Sequence, residues 1–141
     1  MFVLDTNQVS LFQRNDPHVS ARALETPPQE LATTVITVEE QLGGRLDLIR
    51  RARSDEAVVR AYRNLLNTSL YFRTITVIGF DEQAQSIFRR FRARGIRMGT
   101  HDLRIAATVP SRGATLVTHN VRDFGRIPSL SIEDWSLPGK T

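Results

Sequence analysis

The sequence has no cysteine. Disulfides, thiolate zinc centres and cysteine nucleophiles are therefore excluded together. Lys140 is its one lysine and stands at the far end of the chain, so aspartyl-phosphate signalling chemistry lacks the lysine it needs after a late strand. No apolar run approaches the roughly 20 residues that span a bilayer. The first apolar stretch runs into Asp5-Thr6-Asn7. That turn lacks the glycines of a dinucleotide site and the second aspartate of a haloacid-type phosphatase. The opening MFVLD reads as a strand and not as a leader peptide. A cytoplasmic location without membrane contact is the expectation.

What is present is globular in character. The 141 residues are 40% apolar and 24% charged, values of a folded chain with a core of its own. No repeat, linker or low-complexity segment divides it, so one domain over 1–141 is expected. The net charge is +4, and with Lys140 the sole lysine, 18 of the 19 basic residues are arginine. Arginine grips phosphate as a planar fork and stacks on bases, which favours a polyanionic partner. A genome rich in arginine codons would produce the same count.

Short apolar runs alternate with helical periodicity. Strands are expected at Phe2 to Leu4, Leu31 to Ile36, Ile75 to Phe80 and Leu116 to Thr118, with Ser131 to Glu133 as a fifth at the edge. Helices are expected at Asn7 to Gln13, Pro17 to Glu25, from about Thr37 to Arg53, and from about Asp55 to Phe72. Two more follow Asp81 and Thr100. The long pair would bury Leu42, Leu46 and Ile49 on one helix, and Ala57, Ala61, Leu65 and Leu66 on the other. This order implies an α/β fold with a four- to five-stranded, mainly parallel sheet flanked by helices. Ligands of such sheets lie beyond the carboxyl ends of the strands.

Acidic residues gather at those ends. Asp5 follows the first strand, Glu40 opens the helix after the second, and Asn120 and Asp123 follow the fourth. Asp102 begins a helix that follows another helix, so topology does not place it. Each has a plain structural alternative. Asp5 would cap a helix, Thr37 and Glu40 match a capping box, Asp102 would complement a helix dipole, and Asp123 would stabilise a turn. Gathered together, they repel: two unit charges about 4 Å apart cost roughly 4 kcal/mol at an effective dielectric near 20. A hard divalent cation offsets that repulsion through oxygen ligands, and it activates water and stabilises a phosphoryl transition state.

The segments LDTN, ITVEEQLGG, GTHDLRIAAT and LVTHNVRDFGRIPSLSIEDW resemble those of the PIN-domain ribonuclease family, in its VapC-like toxin branch, over nearly the whole chain. The resemblance implies a PIN-like sandwich and a Mg²⁺- or Mn²⁺-dependent endoribonuclease, the toxin of a toxin–antitoxin pair. Its implied partners are RNA, a cognate VapB-like antitoxin and a second copy of the chain in a homodimer. By position it selects Asp5, Glu40, Asp102 and Asp123 as the catalytic and metal-binding acids, with Glu40 preferred to Glu39. Asn120 competes for the fourth place, and Thr6 is a candidate donor to one carboxylate. His101, beside Asp102, is expected mainly at the surface. Arg94 and Arg97 are candidate RNA contacts within the cluster Arg89, Arg90, Arg92, Arg94 and Arg97. The main alternative is a PIN-fold module that binds RNA or protein without cutting.

Overall fold

The computed structural model describes residues 1–139; Lys140 lies outside them. Five strands, β1 (Phe2–Leu4), β2 (Leu31–Thr34), β3 (Thr76–Ile78), β4 (Thr115–Val117) and β5 (Ile132–Glu133), form one sheet in the order β3-β2-β1-β4-β5. Every neighbouring pair is parallel. Seven α-helices surround it: α1 (Thr6–Gln13), α2 (Pro17–Glu25), α3 (Val35–Arg51), α4 (Asp55–Tyr71), α5 (Glu82–Ala93), α6 (Thr100–Thr108) and α7 (Val121–Phe124).

Helices cover both faces of the sheet. Successive residues point to opposite faces, so each strand feeds two cores. Val3, Ala32 and Leu116 join Ile87, Phe91, Leu103, Ala106, Phe124 and Ile127 on one side. Leu4, Leu31 and Val117 join Val9, Val19, Ala23 and Trp135 on the other. β1 pairs with both β2 and β4, with Leu4 in register with Thr33 and Val117. The strand order reverses at β1, which makes the carboxyl end of β1 the crevice of the sheet.

Boundaries differ from the sequence reading at β2, α3 and β3, which runs Thr76–Ile78 against the expected Ile75 to Phe80, and the short α7 has no counterpart in it. β2 stops at Thr34, and α3 starts at Val35. The Thr34 side chain accepts from Thr37 N–H at 3.2 Å and so caps the helix. Glu40 then lies a full turn beyond the capping positions, and the capping-box reading of Thr37 and Glu40 does not hold. In α4, Ala61 is buried but Leu66 is 57% exposed. Leu46, Leu48, Val59, Tyr62 and Leu70 are exposed with it, so the α3–α4 hairpin carries apolar residues outward. Val9, at α1, belongs to the core, with Leu11 and Phe12 packed against it.

The position of α6 follows from what comes after it. A single 3₁₀ turn (Pro110–Arg112) and Gly113, at φ +60°, lead α6 into β4. A helix that feeds a parallel strand ends at the strand's starting edge, so its N-terminus lies at the carboxyl edge. Asp102 is thereby brought to the same edge as Asp5.

Candidate active site

Of the helices that begin at the carboxyl edge of the sheet, four each carry one of the four acids near their start, and α5, which follows β3, begins there as well. Asp5 is the residue before α1, Glu40 is in the second turn of α3, and Asp102 and Asp123 are in the first turns of α6 and α7. Backbone N–H groups and the helix dipole favour negative charge at such ends, which lowers the cost of gathering carboxylates.

Asp5 is the most constrained. Its backbone N–H bonds Val117 O at 3.0 Å, locking it between β1 and β4. Its Oδ1 accepts from Gln8 N–H at 2.9 Å, capping α1, and the Thr118 side chain hydrogen-bonds it as well. Asp5 is 6% exposed. Burial pushes its carboxyl from 3.8 up to about 6, the Thr118 and Gln8 bonds oppose that rise, and the charges of Asp102 and Glu40 reinforce it. The cap role is therefore real, and it coexists with an environment hostile to a lone carboxylate.

Glu40 is oriented by threonines. Thr6 Oγ1 donates to Glu40 Oε1 at 2.7 Å and stands 3.0 Å from Thr37 Oγ1. Thr6 follows Asp5 directly, so one short segment carries one acid and aims a second. His101 is only half exposed and is not a plain surface residue. Its Nε2 lies 3.3 Å from Glu39 Oε1 and its Nδ1 3.8 Å from Glu40 Oε2. Glu39 itself is turned to solvent.

Burial raises the Asp102 carboxyl above the ordinary range, Glu40 and Asp123 add to the rise, and His101 opposes it. Asp102 thus feels two of the other acids directly. Asn120 and Asp123 are not equivalent. Asn120 Oδ1 accepts from Asp123 N–H at 3.4 Å, and Asn120 Nδ2 donates to Asp123 Oδ2 at 3.1 Å. The amide occupies itself with fixing the carboxylate. Arg126 Nη2 donates to Asp123 Oδ1 at 3.2 Å and to the Arg97 carbonyl at 3.3 Å. Arg94 ends α5, and Arg94 and Arg97 are both exposed.

Several neighbours of the acids escape a sequence reading. Arg126 and the Glu39–His101 pair belong to them, as do Thr118 and Gln8. Arg126 stands three residues after Asp123, a helical spacing that signals such a pair. Nothing local to Gln8 or Thr118 announces their contact with Asp5. Among the described residues, no group of three or more carboxylates or imidazoles is drawn close enough to hold an ion by itself. The four acids are nevertheless oxygen donors only, two of them raised in pKa by burial and by one another. That donor set suits a hard divalent cation that retains water ligands, and it suits no soft metal.

No protein-family model matches the chain. It is 30% identical to the tRNA(fMet)-specific endonuclease VapC of Salmonella typhimurium, over 95% of this chain and 97% of that protein. It is 28% identical to Ribonuclease VapC1 of Haemophilus influenzae, over 96% and 98% of the two chains. Its fold superposes on the crystal structure of DNA-bound VapBC from Salmonella typhimurium with a TM-score of 0.78, at 31% identity over 95% of this chain and 97% of that one. For VapBC-1 of nontypeable Haemophilus influenzae the TM-score is 0.75, at 26% identity over 96% and 98%. Full-length likeness in sequence and fold, with acids at the carboxyl edge of a parallel sheet, places the chain in the VapC family of ribonucleases.

Proposed function

We propose that the chain is the endoribonuclease toxin of a toxin–antitoxin pair and hydrolyses RNA phosphodiesters at the acid cluster with Mg²⁺ or Mn²⁺. The observation that carries this is the gathering of four carboxylates at one sheet edge, where burial, and then the charges of neighbouring acids, raise Asp5 and Asp102. A site built to stay metal-free gains nothing from that repulsion. Asp5 and Asp102 are assigned to hold the ion, with Glu40 and Asp123 completing its surroundings. A bound divalent ion supplies positive charge for the phosphoryl transition state and acidifies water. Thr6 fixes Glu40, Asn120 fixes Asp123, and the arginines at Arg94, Arg97 and Arg126 receive flanking phosphates. The non-cutting alternative leaves the crowded acids without a purpose.

Asp5→Asn and Asp102→Asn are expected to reduce metal-dependent RNA cleavage to background while circular dichroism stays native. Asn retains the cap at Asp5. Chelator is expected to silence the wild type equally. Full cleavage in chelator, with stray nuclease excluded, overturns the mechanism.

The same acids set a pH dependence of stability. Between the unfolded value near 3.8 and the folded value of about 6, the unfolded chain loses the Asp5 proton and the folded chain keeps it. Metal-free stability therefore falls as pH rises through that window and levels off above it. Asp5→Asn removes this slope and raises metal-free stability at pH 7 by about 1–3 kcal/mol. Mg²⁺ stabilises the wild type more than the variant. Denaturant melts from pH 4 to 8, with and without Mg²⁺, read both effects, and equal metal stabilisation of the two proteins counts against a shared site.

Charge reversal of Arg94 and Arg97 together is expected to weaken RNA binding and lower the slope of log affinity against log salt by about 2. An unchanged slope assigns these residues to solubility.

An active ribonuclease of this kind needs restraint. The partner is proposed to be a small antitoxin that lays an apolar helix on the exposed face of α3–α4 and brings an arginine to the acids, because guanidinium matches carboxylate in bidentate geometry. Co-expression with the adjacent open reading frame is expected to relieve growth arrest. Light scattering of the purified complex should show an even number of toxin chains, as a homodimer requires. A chain harmless when expressed alone, with no such partner, favours the non-cutting module.

A further inference from the structure

β4 carries more than its contact with Asp5. Thr118 touches Asp5 and accepts from Asn120 N–H at 3.0 Å, and Asn120 holds Asp123. His119 stands between these two and serves neither acid. Its side chain is 66% exposed, yet it is not loose. His119 Nδ1 lies 3.0 Å from Asp134 Oδ2, just past β5, and 3.2 Å from Ser136 Oγ.

The chemistry of this contact fixes which ring nitrogen carries hydrogen. The Asp134 carboxylate is almost enclosed, with its side chain 8% exposed. Burial alone would raise its pKa, but hydrogen bonds from the Ser136 hydroxyl and backbone and from His119 prevail and lower it. An ionised carboxylate only accepts, so Nδ1 carries the hydrogen. In the neutral ring Nε2 is then an acceptor, directed outward and without a partner among the described residues. Gln8 completes the mounting. It is fully buried, its backbone N–H bonds Asp5 at 2.9 Å, and its Nε2 reaches Asp134 Oδ1 at 3.5 Å. One rigid residue therefore ties the Asp134–His119 pair to the acid at the centre of the site.

The two flanks of the acid cluster differ. Phe124 and Ile127, around Asp123 and Arg126, belong to the core on the α5–α6 face. Trp135, beside Asp134, belongs to the core on the α1–α2 face. Arg126 stands beside Asp123 on the first side, and the second carries the oriented acceptor of His119, with Arg22 over the Trp135 ring and paired with Glu133. Phosphate offers no hydrogen to an acceptor, whereas the ribose 2′-hydroxyl does, and that group separates RNA from DNA.

We infer that His119, held by Asp134 as a positioning residue, accepts a hydrogen bond from a ribose 2′-hydroxyl next to the cut phosphodiester and so contributes to selection of RNA over DNA. This rests on the ribonuclease reading of the acid cluster. The test walks single 2′-deoxy substitutions across the nucleotides flanking the cut, and measures kcat/KM for the wild type and His119→Ala. One net hydrogen bond corresponds to about 3–10-fold. At one position the deoxy substitution is expected to lower wild-type kcat/KM by that factor and to leave His119→Ala unchanged, already lower by the same amount on all-ribose RNA. His119→Gln, which can place an acceptor near the Nε2 position, recovers part of the sensitivity, and His119→Asn does not. Asp134→Asn, with a weaker hold on Nδ1, shrinks it. Identical deoxy profiles for wild type and His119→Ala overturn the inference. So does a His119→Ala loss equal on RNA and on matched DNA, which marks a phosphate contact. If the wild type cuts nothing in Mg²⁺ or Mn²⁺, the ribonuclease reading fails by itself. Binding of the same oligonucleotides by fluorescence anisotropy then applies the same criterion to His119.

Discussion

A carboxylate buried where the strand order reverses is the constraint around which this molecule is arranged. Asp5 cannot move, because its backbone continues the β1–β4 ladder and its side chain caps α1. Nor is it comfortable when ionised, since two hydrogen bonds offset only part of the desolvation. Each neighbouring element answers that tension. α3, α6 and α7 all start at the same edge, and the positive ends of their dipoles reduce the repulsion among the acids they carry. These contributions are typically a few tenths to about 1 kcal/mol each, less than the cost of crowding. The remainder is unrelieved repulsion, which the divalent ion of the proposed function would offset.

The groups around the acids divide by charge and by rigidity. Hydroxyls, a carboxamide and a backbone N–H do the fixing: Thr6 on Glu40, Asn120 on Asp123, and Thr118 with the Gln8 N–H on Asp5. They orient without cancelling charge, as an arginine in the same places would. Positively charged or titratable groups stay at the rim. Arg126 reaches Asp123 from outside, and His101 bridges Glu39 and Glu40 on a half-exposed flank. A central arginine would neutralise the acids permanently. Kept at the rim, the cations leave the carboxylates un-neutralised, as the proposed metal-dependent reaction requires.

The sheet and most helices are legible from periodicity, because helices on both faces make each strand an apolar run between turn signals. All five strands and the first two helices fall where the pattern places them, to within a few residues. The start of α3 is misread because Val35 and Ile36 are β-branched and look like strand; the Thr34 cap overrules that propensity. Leu66 looks like core by spacing and faces solvent, because a helix that packs through one stripe leaves its other apolar residues to partners. Among the site residues, Asp5 and Asp123 can be placed from strand ends alone. Asp102 requires reading forward from α6 into β4 instead of backward to α5. The contacts of Gln8 with Asp134 and of Arg126 with the Arg97 carbonyl span 126 and 29 residues. No local pattern encodes such distances.

The site and the apolar face share one helix, α3. Glu40 lies near the start of α3, and Leu46 is exposed six residues later. Six residues of α-helix rise about 9 Å, within reach of a long side chain from anything seated on the α3–α4 hairpin. The hairpin is fastened to the rest by polar contacts. Gln41 bonds Gln13 and Ser10 of α1, and Arg45 Nε bonds Thr68 of α4 at 2.9 Å. The Gln41 bonds hold α3 against α1, whose cap is Asp5, and the Arg45 bond ties α3 to α4. A partner on this face therefore meets a surface already aligned with the acids. Under the proposed function, such a partner reaches the acids by crossing the N-terminal turns of α3, where Glu40 lies.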